Sequence, residues 1–307
     1  MIKPILPVII GPTASGKTHL AVNLAKESEG EIISADSRQV YRQMDLGTGK
    51  DIDEYTIKGH KIPYHLIDIC APGDKYNINL FYNDFVNAFE AIKAKKSLPI
   101  LCGGSGLYVQ TALEGNELSS IPINNELREE FNALSKEILN FKFSKINITL
   151  QKKLDNTSKK RLIRALEINE YLKSCPYPKL KKPHFNPILF GLDIPREERR
   201  EKISKRLRKR LKYGMIDEVI MLKQKTSNEC LKYYGLEYLF ITEYLEKKYD
   251  KAELFRRLEI AIHQFGKRQM TWFRKMEKDG YKINWIKYDL PVEEKLEIVK
   301  EGLTFNK

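Results

Sequence analysis

The sequence predicts an α/β protein: a P-loop-type parallel sheet core with a mostly helical insertion domain. Short continuous apolar runs alternate with amphipathic stretches over the first 115 residues. The first run ends in a glycine-rich loop that leads into a helical pattern. From about Leu118 the chain changes to long, charged segments of helical character.

Ile5 to Ile10 is apolar throughout and stops at a glycine, as a strand buried on both faces does. A helix is expected from about Lys17 to Lys26. Strands follow at Glu31 to Ala35, which stops before Asp36, and at Tyr64 to Ile69, which contains Asp68. Leu80 to Lys95 places Phe81, Phe85, Phe89 and Ile92 on one helical face. Pro99 to Cys102 is a further buried strand, ending in Gly103-Gly104. Helices are predicted at Asn125 to Leu139 and Ser158 to Leu172. Pro176, Pro178, Pro183 and Pro187 forbid helix and mark a return linker. A strand at Ile188 to Ile194, a very basic helix at Arg196 to Leu211, helices at Tyr233 to Lys247 and Ala252 to Lys275, and a strand at Lys282 to Tyr288 complete the pattern. The expected division is a core of residues 1–117 and 188–307 around an insertion of 118–187.

With 307 residues, 42% of them hydrophobic, the chain can bury a sizeable core without disulfide staples. Its four cysteines are far apart and form no metal-ligand cluster, so free thiols in a reducing compartment are expected. No apolar run has the length of a membrane span, and Ile5 to Ile10 is too short for a signal-peptide core, which reads as a soluble, cytoplasmic chain. The net charge of +13 is concentrated: Gln151 to Lys212 holds 20 Lys and Arg against 7 Asp and Glu, and the remainder holds 34 of each. Such a segment suits a polyanionic partner, though a solvated helical surface would give the same count.

Gly11-Pro12-Thr13-Ala14-Ser15-Gly16-Lys17-Thr18 satisfies G-x-x-x-x-G-K-[ST] between a predicted strand and a predicted helix. Glycines let backbone N–H groups turn towards phosphate oxygens, and the helix N-terminus adds a favourable dipole. Lys17 supplies a point charge and Thr18 a hydroxyl for Mg²⁺. The motif specifies a di- or triphosphate and no particular reaction. A phosphoryl-transfer enzyme would add an Asp closing a later strand. Gly103-Gly104-Ser105-Gly106 offers none, and Asp68 lies mid-run. Asp36-Ser37-Arg38-Gln39 instead groups a carboxylate, a hydroxyl, a guanidinium and an amide just after a strand. Asp36 is suited to deprotonate an incoming amine; the alternative is that it caps the following turn.

These residues resemble the bacterial tRNA dimethylallyltransferases. The resemblance runs through GPTASGKT, Asp36 to Tyr41, Met44 to Thr48, Gly103 to Tyr108, Lys160 to Glu167, Arg196 to Val219 and Lys267 to Arg274. It implies transfer of a dimethylallyl group from dimethylallyl diphosphate to N6 of the adenosine 3′ of a tRNA anticodon, with release of diphosphate. It implies Asp36 as general base, with Ser105 assisting at the reaction centre. Gly11 to Thr18 would grip the diphosphate with Mg²⁺ at Thr18, aided by Arg206 from the basic helix. Asp36, Ser37, Arg38, Gln39, Ser105, Arg128, Lys160, Arg161, Leu162, Ile163 and Arg164 would meet the anticodon stem-loop. A monomer is expected. Gly235-Leu236-Glu237 and Ile262-His263 depart from the family's usual Gly-Tyr-Arg/Lys and Thr-Arg. Prenylation of a free adenine nucleotide, and a small-molecule P-loop kinase, are the alternatives; a nucleotide-sized acceptor leaves the basic segment without a partner.

Overall fold

The computed structural model describes residues 3–304. Its strands are β1 (Ile5–Ile10), β2 (Glu31–Ser34), β3 (Thr56–Ile57), β4 (His60–Lys61), β5 (Tyr64–His65), β6 (Pro99–Gly103), β7 (Asn186–Asp193) and β8 (Ile283–Lys287). The helices are α1 (Lys17–Glu27), α2 (Ile78–Ala94), α3 (Gly106–Glu114), α4 (Asn125–Ala133), α5 (Lys136–Ser144), α6 (Ile148–Gln151), α7 (Lys159–Ser174), α8 (Arg196–Lys212), α9 (Met215–Lys223), α10 (Asn228–Tyr233), α11 (Leu236–Leu245), α12 (Lys251–Lys278) and α13 (Val292–Thr304). Six strands form one sheet in the order β5-β2-β6-β1-β7-β8, every pair parallel. β3 and β4 form a separate hairpin.

Two compact units emerge. One contains the chain up to Glu114 and again from Lys182; the other is Gly115–Lys181. The division thus falls a few residues from the expected 118 and 187. Phe185 explains the second shift, because its ring packs on Phe85 and Phe89 of α2, at centroid distances of 6.1 and 5.2 Å, and so belongs to the sheet unit. The basic segment is divided as well. Residues 151–181 carry 9 Lys and Arg against 3 acids, and residues 182–212 carry 11 against 4.

In the sheet unit, β1 pairs with β6 on one side and β7 on the other, in register Ile10 with Gly103 and Ile10 with Gly191. β6 pairs onward with β2, Cys102 opposite Ser34. Three adjacent strands therefore end at one edge, and the loops that leave them start side by side, where open parallel sheets place ligands. The expected face of α2 is buried without exception: Phe81, Phe85, Phe89 and Ile92 are 0% exposed, each burial contributing about 2 kcal/mol. Asn77 caps this helix by accepting from Asn79 and Leu80 N–H.

Several expectations need correction. The strand at Tyr64 ends after His65, because Leu66 and Asp68 adopt positive φ of 64° and 57°. Asp68 pairs with the buried Lys50, which also reaches Asp45 and the Tyr41 carbonyl, so its role is structural. The single helix expected over Asn125 to Leu139 is two, since Ser135 is extended and caps α5 by accepting from Ile138 N–H. The helix expected from Tyr233 starts at Leu236, after Gly235 turns the chain at φ 137°.

The Gly115–Lys181 unit has its own core, in which Leu139, Leu162, Leu166, Phe131 and Phe143 meet. At its centre the Glu167 carboxylate, 1% exposed, accepts from Asn124 N–H and from the guanidinium groups of Arg128 and Arg164. Burial alone would raise its pKa, but the Arg164, Asn124 and Arg128 hydrogen bonds outweigh it and hold the pKa below the usual carboxylate range. Arg164 also donates to the carbonyls of Leu118, Ile121 and Pro122.

Candidate active site

The phosphate loop leaves β1 at Gly11 and returns as α1 at Lys17. Ala14 and Gly16 both take left-handed backbone, φ 63° and 88°. Gly16 does so at no steric cost, and such turns aim successive N–H groups into one concavity. The loop is braced from across the unit by Gln269 on α12. Its Oε1 accepts from Thr13 N–H at 2.8 Å, and its Nε2 donates to the Gly104 carbonyl at 2.8 Å. One buried side chain thus ties the loop after β1 to the loop after β6. Replacing Gln269 by Ala leaves two backbone groups unpaired, each costing about 1–3 kcal/mol. The expected results are a melting temperature lower by several degrees in thermal denaturation and a raised KM for any diphosphate substrate.

The loops after β1, β2 and β6 and helices α8, α11 and α12 enclose a cavity of about 830 Å³. Thr13, Ala14, Gly16, Lys17 and Thr18 line one end. Asp36 to Gln39 and Ser105 line it from the neighbouring strand ends, and Arg206 reaches in from α8. Eleven of the residues singled out by sequence therefore meet at one place. Gly11, Pro12 and Ser15 belong to the loop but not to the cavity wall.

Asp36 does cap the following turn: its Oδ1 accepts from Arg38 N–H at 2.8 Å and Gln39 N–H at 3.4 Å. Its Oδ2 accepts no hydrogen bond among the described residues, and the side chain lines the cavity. The two readings of Asp36 are thus compatible, one oxygen for each. Gln39 is fixed by Ser34 at 3.0 Å and donates to the Gly49 carbonyl at 3.1 Å. Ser105 sits at the N-terminus of α3, its carbonyl accepting from Val109 N–H.

Burial lowers the Lys17 pKa from the ordinary lysine value, and the nearby Arg206 pushes the same way against Asp36 and Glu54. Burial pushes the Cys102 thiol beneath it up to about 12, so that sulfur stays neutral. Glu54 is likewise raised by burial, with Asp51 adding to the shift.

The cavity also has members that motif reading missed. Lys202, Lys205, Lys209 and Arg210 join Arg206 along α8, and Asp51, Glu54, Tyr233 and Glu237 face them. The helical period of the basic residues on α8 was the available signal, since i, i+3, i+4 and i+7 share a face. Leu236, Leu239, Ile262 and Phe265 give the same cavity an apolar side. Burial raises the pKa of Glu237, opposed by Arg210 and Arg206. His263 leaves the cavity alone and contacts the Ser204 hydroxyl at 3.3 Å and the Arg200 carbonyl at 3.2 Å.

The remaining sequence-predicted residues lie in the other unit. There the structure corrects the stretch Lys160 to Arg164. Leu162 and Ile163 are 0% and 5% exposed, packed in that unit's core, and cannot present side chains to a nucleic acid. Arg164 and Arg128 are held by Glu167. Lys160 and Arg161 are exposed, Arg161 against Asp155 and Thr157. Trp272 is half-buried against Gly106, and Phe273 is fully buried and serves the core.

Among the described residues no three His, Cys, Asp or Glu converge as a metal cage. The hard-oxygen donor set at the cavity nevertheless fits Mg²⁺: the Thr18 hydroxyl beside a loop that would hold phosphate oxygens, the arrangement in which this ion keeps most of its ligands from phosphate and water. No helix among the described residues is long and apolar enough to cross a membrane.

Known proteins share this sequence and fold. The sequence model of the IPP transferase family matches residues 39–276, and that of isopentenyl transferase matches residues 4–66. The chain is 51% identical over 299 residues to tRNA dimethylallyltransferase 2 of Bacteroides fragilis, covering 97% of each, and 50% identical over 293 residues to tRNA dimethylallyltransferase 2 of Phocaeicola vulgatus, covering 95% of each. Among solved structures, the full-length tRNA isopentenylpyrophosphate transferase of Bacillus halodurans superposes with a TM-score of 0.71 at 30% identity, covering 99% of each chain. A eukaryotic dimethylallyltransferase acting on tRNA, at 20% identity, shares the fold with a TM-score of 0.79 over 99% of this chain and 80% of its own.

Proposed function

The chain belongs to the IPP transferase family and is a tRNA prenyltransferase, and from that premise we propose that it moves the dimethylallyl group of dimethylallyl diphosphate to N6 of the adenosine 3′ of the anticodon, releasing diphosphate. The observation that supports this most is the free Oδ2 of Asp36 on the same cavity wall as Lys17 and Thr18.

The exocyclic amine is a weak nucleophile that becomes acidic as its nitrogen bonds to C1 of the donor. Asp36 accepts that proton through Oδ2 while Oδ1 stays bonded to the turn. The C1–O bond breaks with its electron pair going to diphosphate. Lys17, Arg206 and the loop N–H groups stabilise the developing negative charge. When bound, Mg²⁺ would supply further neutralisation of the diphosphate oxygens, with Thr18 as its protein ligand. Leu236, Leu239, Ile262 and Phe265 offer the prenyl carbons a side of the cavity poor in water. Ser105, on the same cavity wall, would orient the acceptor. Reaching such a site requires the target base to leave the anticodon-loop stack. Lys160 and Arg161 on the Gly115–Lys181 unit would contribute phosphate contacts, which carry affinity rather than specificity.

The decisive experiment incubates the protein with Mg²⁺, undermodified tRNA and dimethylallyl diphosphate, beside reactions with AMP as acceptor or ATP as donor, and reads products by mass spectrometry. A gain of one dimethylallyl group on an anticodon-loop adenosine is expected. Prenylated AMP with unmodified tRNA would transfer the assignment to a nucleotide acceptor, and phosphoryl transfer from ATP would end it.

A further inference from the structure

Two α8 cations beside the phosphate loop share one carboxylate, that of Asp51. Arg206 bonds to the Asp51 carboxylate, and its remaining contacts run to Thr13 Oγ1 and the Gly49 carbonyl, each at 3.4 Å. Arg210, one helical turn further along α8, donates to the two oxygens of the same carboxylate at 3.1 and 3.3 Å. Its guanidinium lies against Gly49, where a β-carbon would collide with it and where φ is +67°. Asp51 itself takes left-handed backbone, φ 45°, at the head of a single 3-10 turn. That conformation is uncommon for a residue with a side chain and is retained where the surroundings impose it.

The connections reach the reaction centre from two directions. Through Gly49 the segment is bonded to Gln39, whose N–H is bonded to Asp36. Through Arg206 it is bonded to Thr13 of the phosphate loop. A carboxylate here opposes an incoming polyanion electrostatically, so it carries a cost in ground-state affinity. What it gives in return is orientation, because a guanidinium fixed on one edge presents its remaining N–H groups in a set direction.

We propose that Asp51 is a positioning residue for the leaving diphosphate, acting through Arg206 and Arg210, which it holds against the phosphate loop so that their cavity-facing N–H groups are aimed before the donor arrives. The inference rests on the prenyl-transfer reading. Because Asp51 contributes a negative charge and an orientation together, removing it separates binding from turnover. Asp51→Asn keeps the shape while losing the charge. It is expected to bind inorganic pyrophosphate as tightly as the parent or several-fold more tightly, while kcat for tRNA prenylation falls about 10-fold or more, the scale of a misaimed transition-state contact. Donor KM should be unchanged or lower. Asp51→Glu, which retains the charge, should recover part of kcat.

The test is a double-mutant cycle on the full chain with Asp51→Asn, Arg206→Lys and the pair. The readouts are calorimetric titration with pyrophosphate and steady-state prenylation, with circular dichroism to establish that each variant is folded. Coupling is expected: in the Arg206→Lys background, Asp51→Asn should lower kcat by a smaller factor than in the parent, the remainder running through Arg210. Additive losses, a weaker pyrophosphate affinity in Asp51→Asn, or an unchanged kcat would each overturn the proposal. If the parent protein itself failed to prenylate tRNA, the reading of the reaction would fall. The pyrophosphate cycle would still decide the coupling between Asp51 and Arg206, its absence overturning the proposal independently.

Discussion

Replacing Asp36 by Asn is expected to lower kcat for prenyl transfer by about 10²-fold or more, the range for removal of a general base, with donor and tRNA affinities within a few fold of the parent. The choice of Asn follows from the two roles of this side chain. Oδ1 accepts from Arg38 and Gln39 N–H and holds the turn, and an amide oxygen can keep those bonds. Oδ2, the oxygen left for the substrate, becomes an NH₂ group that can only donate. Asp36→Ala removes both and should add a stability loss of about 1 kcal/mol from the lost cap. Equal kcat in the two variants with different melting temperatures would separate proton transfer from turn geometry. Single-turnover rates with saturating donor and tRNA are the appropriate measurement, because slow product release could mask a chemical defect. A turnover near that of the parent in Asp36→Asn would remove this carboxylate from the reaction.

Asp36 is legible in the sequence as a candidate because of where it stands. Strands buried on both faces, such as Ile5–Ile10 and Pro99–Gly103, announce themselves as continuous apolar runs, and the polar residues just beyond them lie at the ligand-binding edge. Gly16 and Lys17 were legible for the same local reason. Legibility stopped where an element depends on a single backbone torsion or on partners distant in sequence. Nothing in Leu66-Ile67-Asp68 signals the positive φ values that end β5 early. Ser135 divides α4 from α5 through a cap that competes with good helical periodicity on both sides. The family motif carries Leu162 and Ile163 along with its basic residues, whereas their apolar character, taken alone, places them in the core. Asp51 meets Arg206 and Arg210 across 155 and 159 positions, and no spacing rule reaches that far.

Lys17→Ala is expected to reduce kcat/KM for dimethylallyl diphosphate by about 10²–10³-fold, with tRNA binding retained. The lysine is the one cation of the site that is built into the phosphate loop itself, so its loss affects the bound donor and, more severely, the transition state in which negative charge grows on the departing diphosphate. Burial and, less strongly, Arg206 hold the Lys17 pKa below the ordinary lysine value. An arriving diphosphate favours the protonated form and raises that pKa, so binding and protonation are linked. The sign is therefore fixed. Pyrophosphate affinity should fall as pH rises through the lowered pKa of the free enzyme, beginning at lower pH than an exposed lysine would give. In Lys17→Ala that arm of the pH profile should disappear while weaker binding persists through Arg206 and the loop N–H groups. Titration of pyrophosphate across the alkaline range, parent against variant, checks the linkage without requiring turnover. An identical pH dependence in the two proteins would assign it to another group and leave Lys17 as a fixed charge. A variant that lost tRNA binding with donor affinity intact would contradict the placement of Lys17 at the diphosphate.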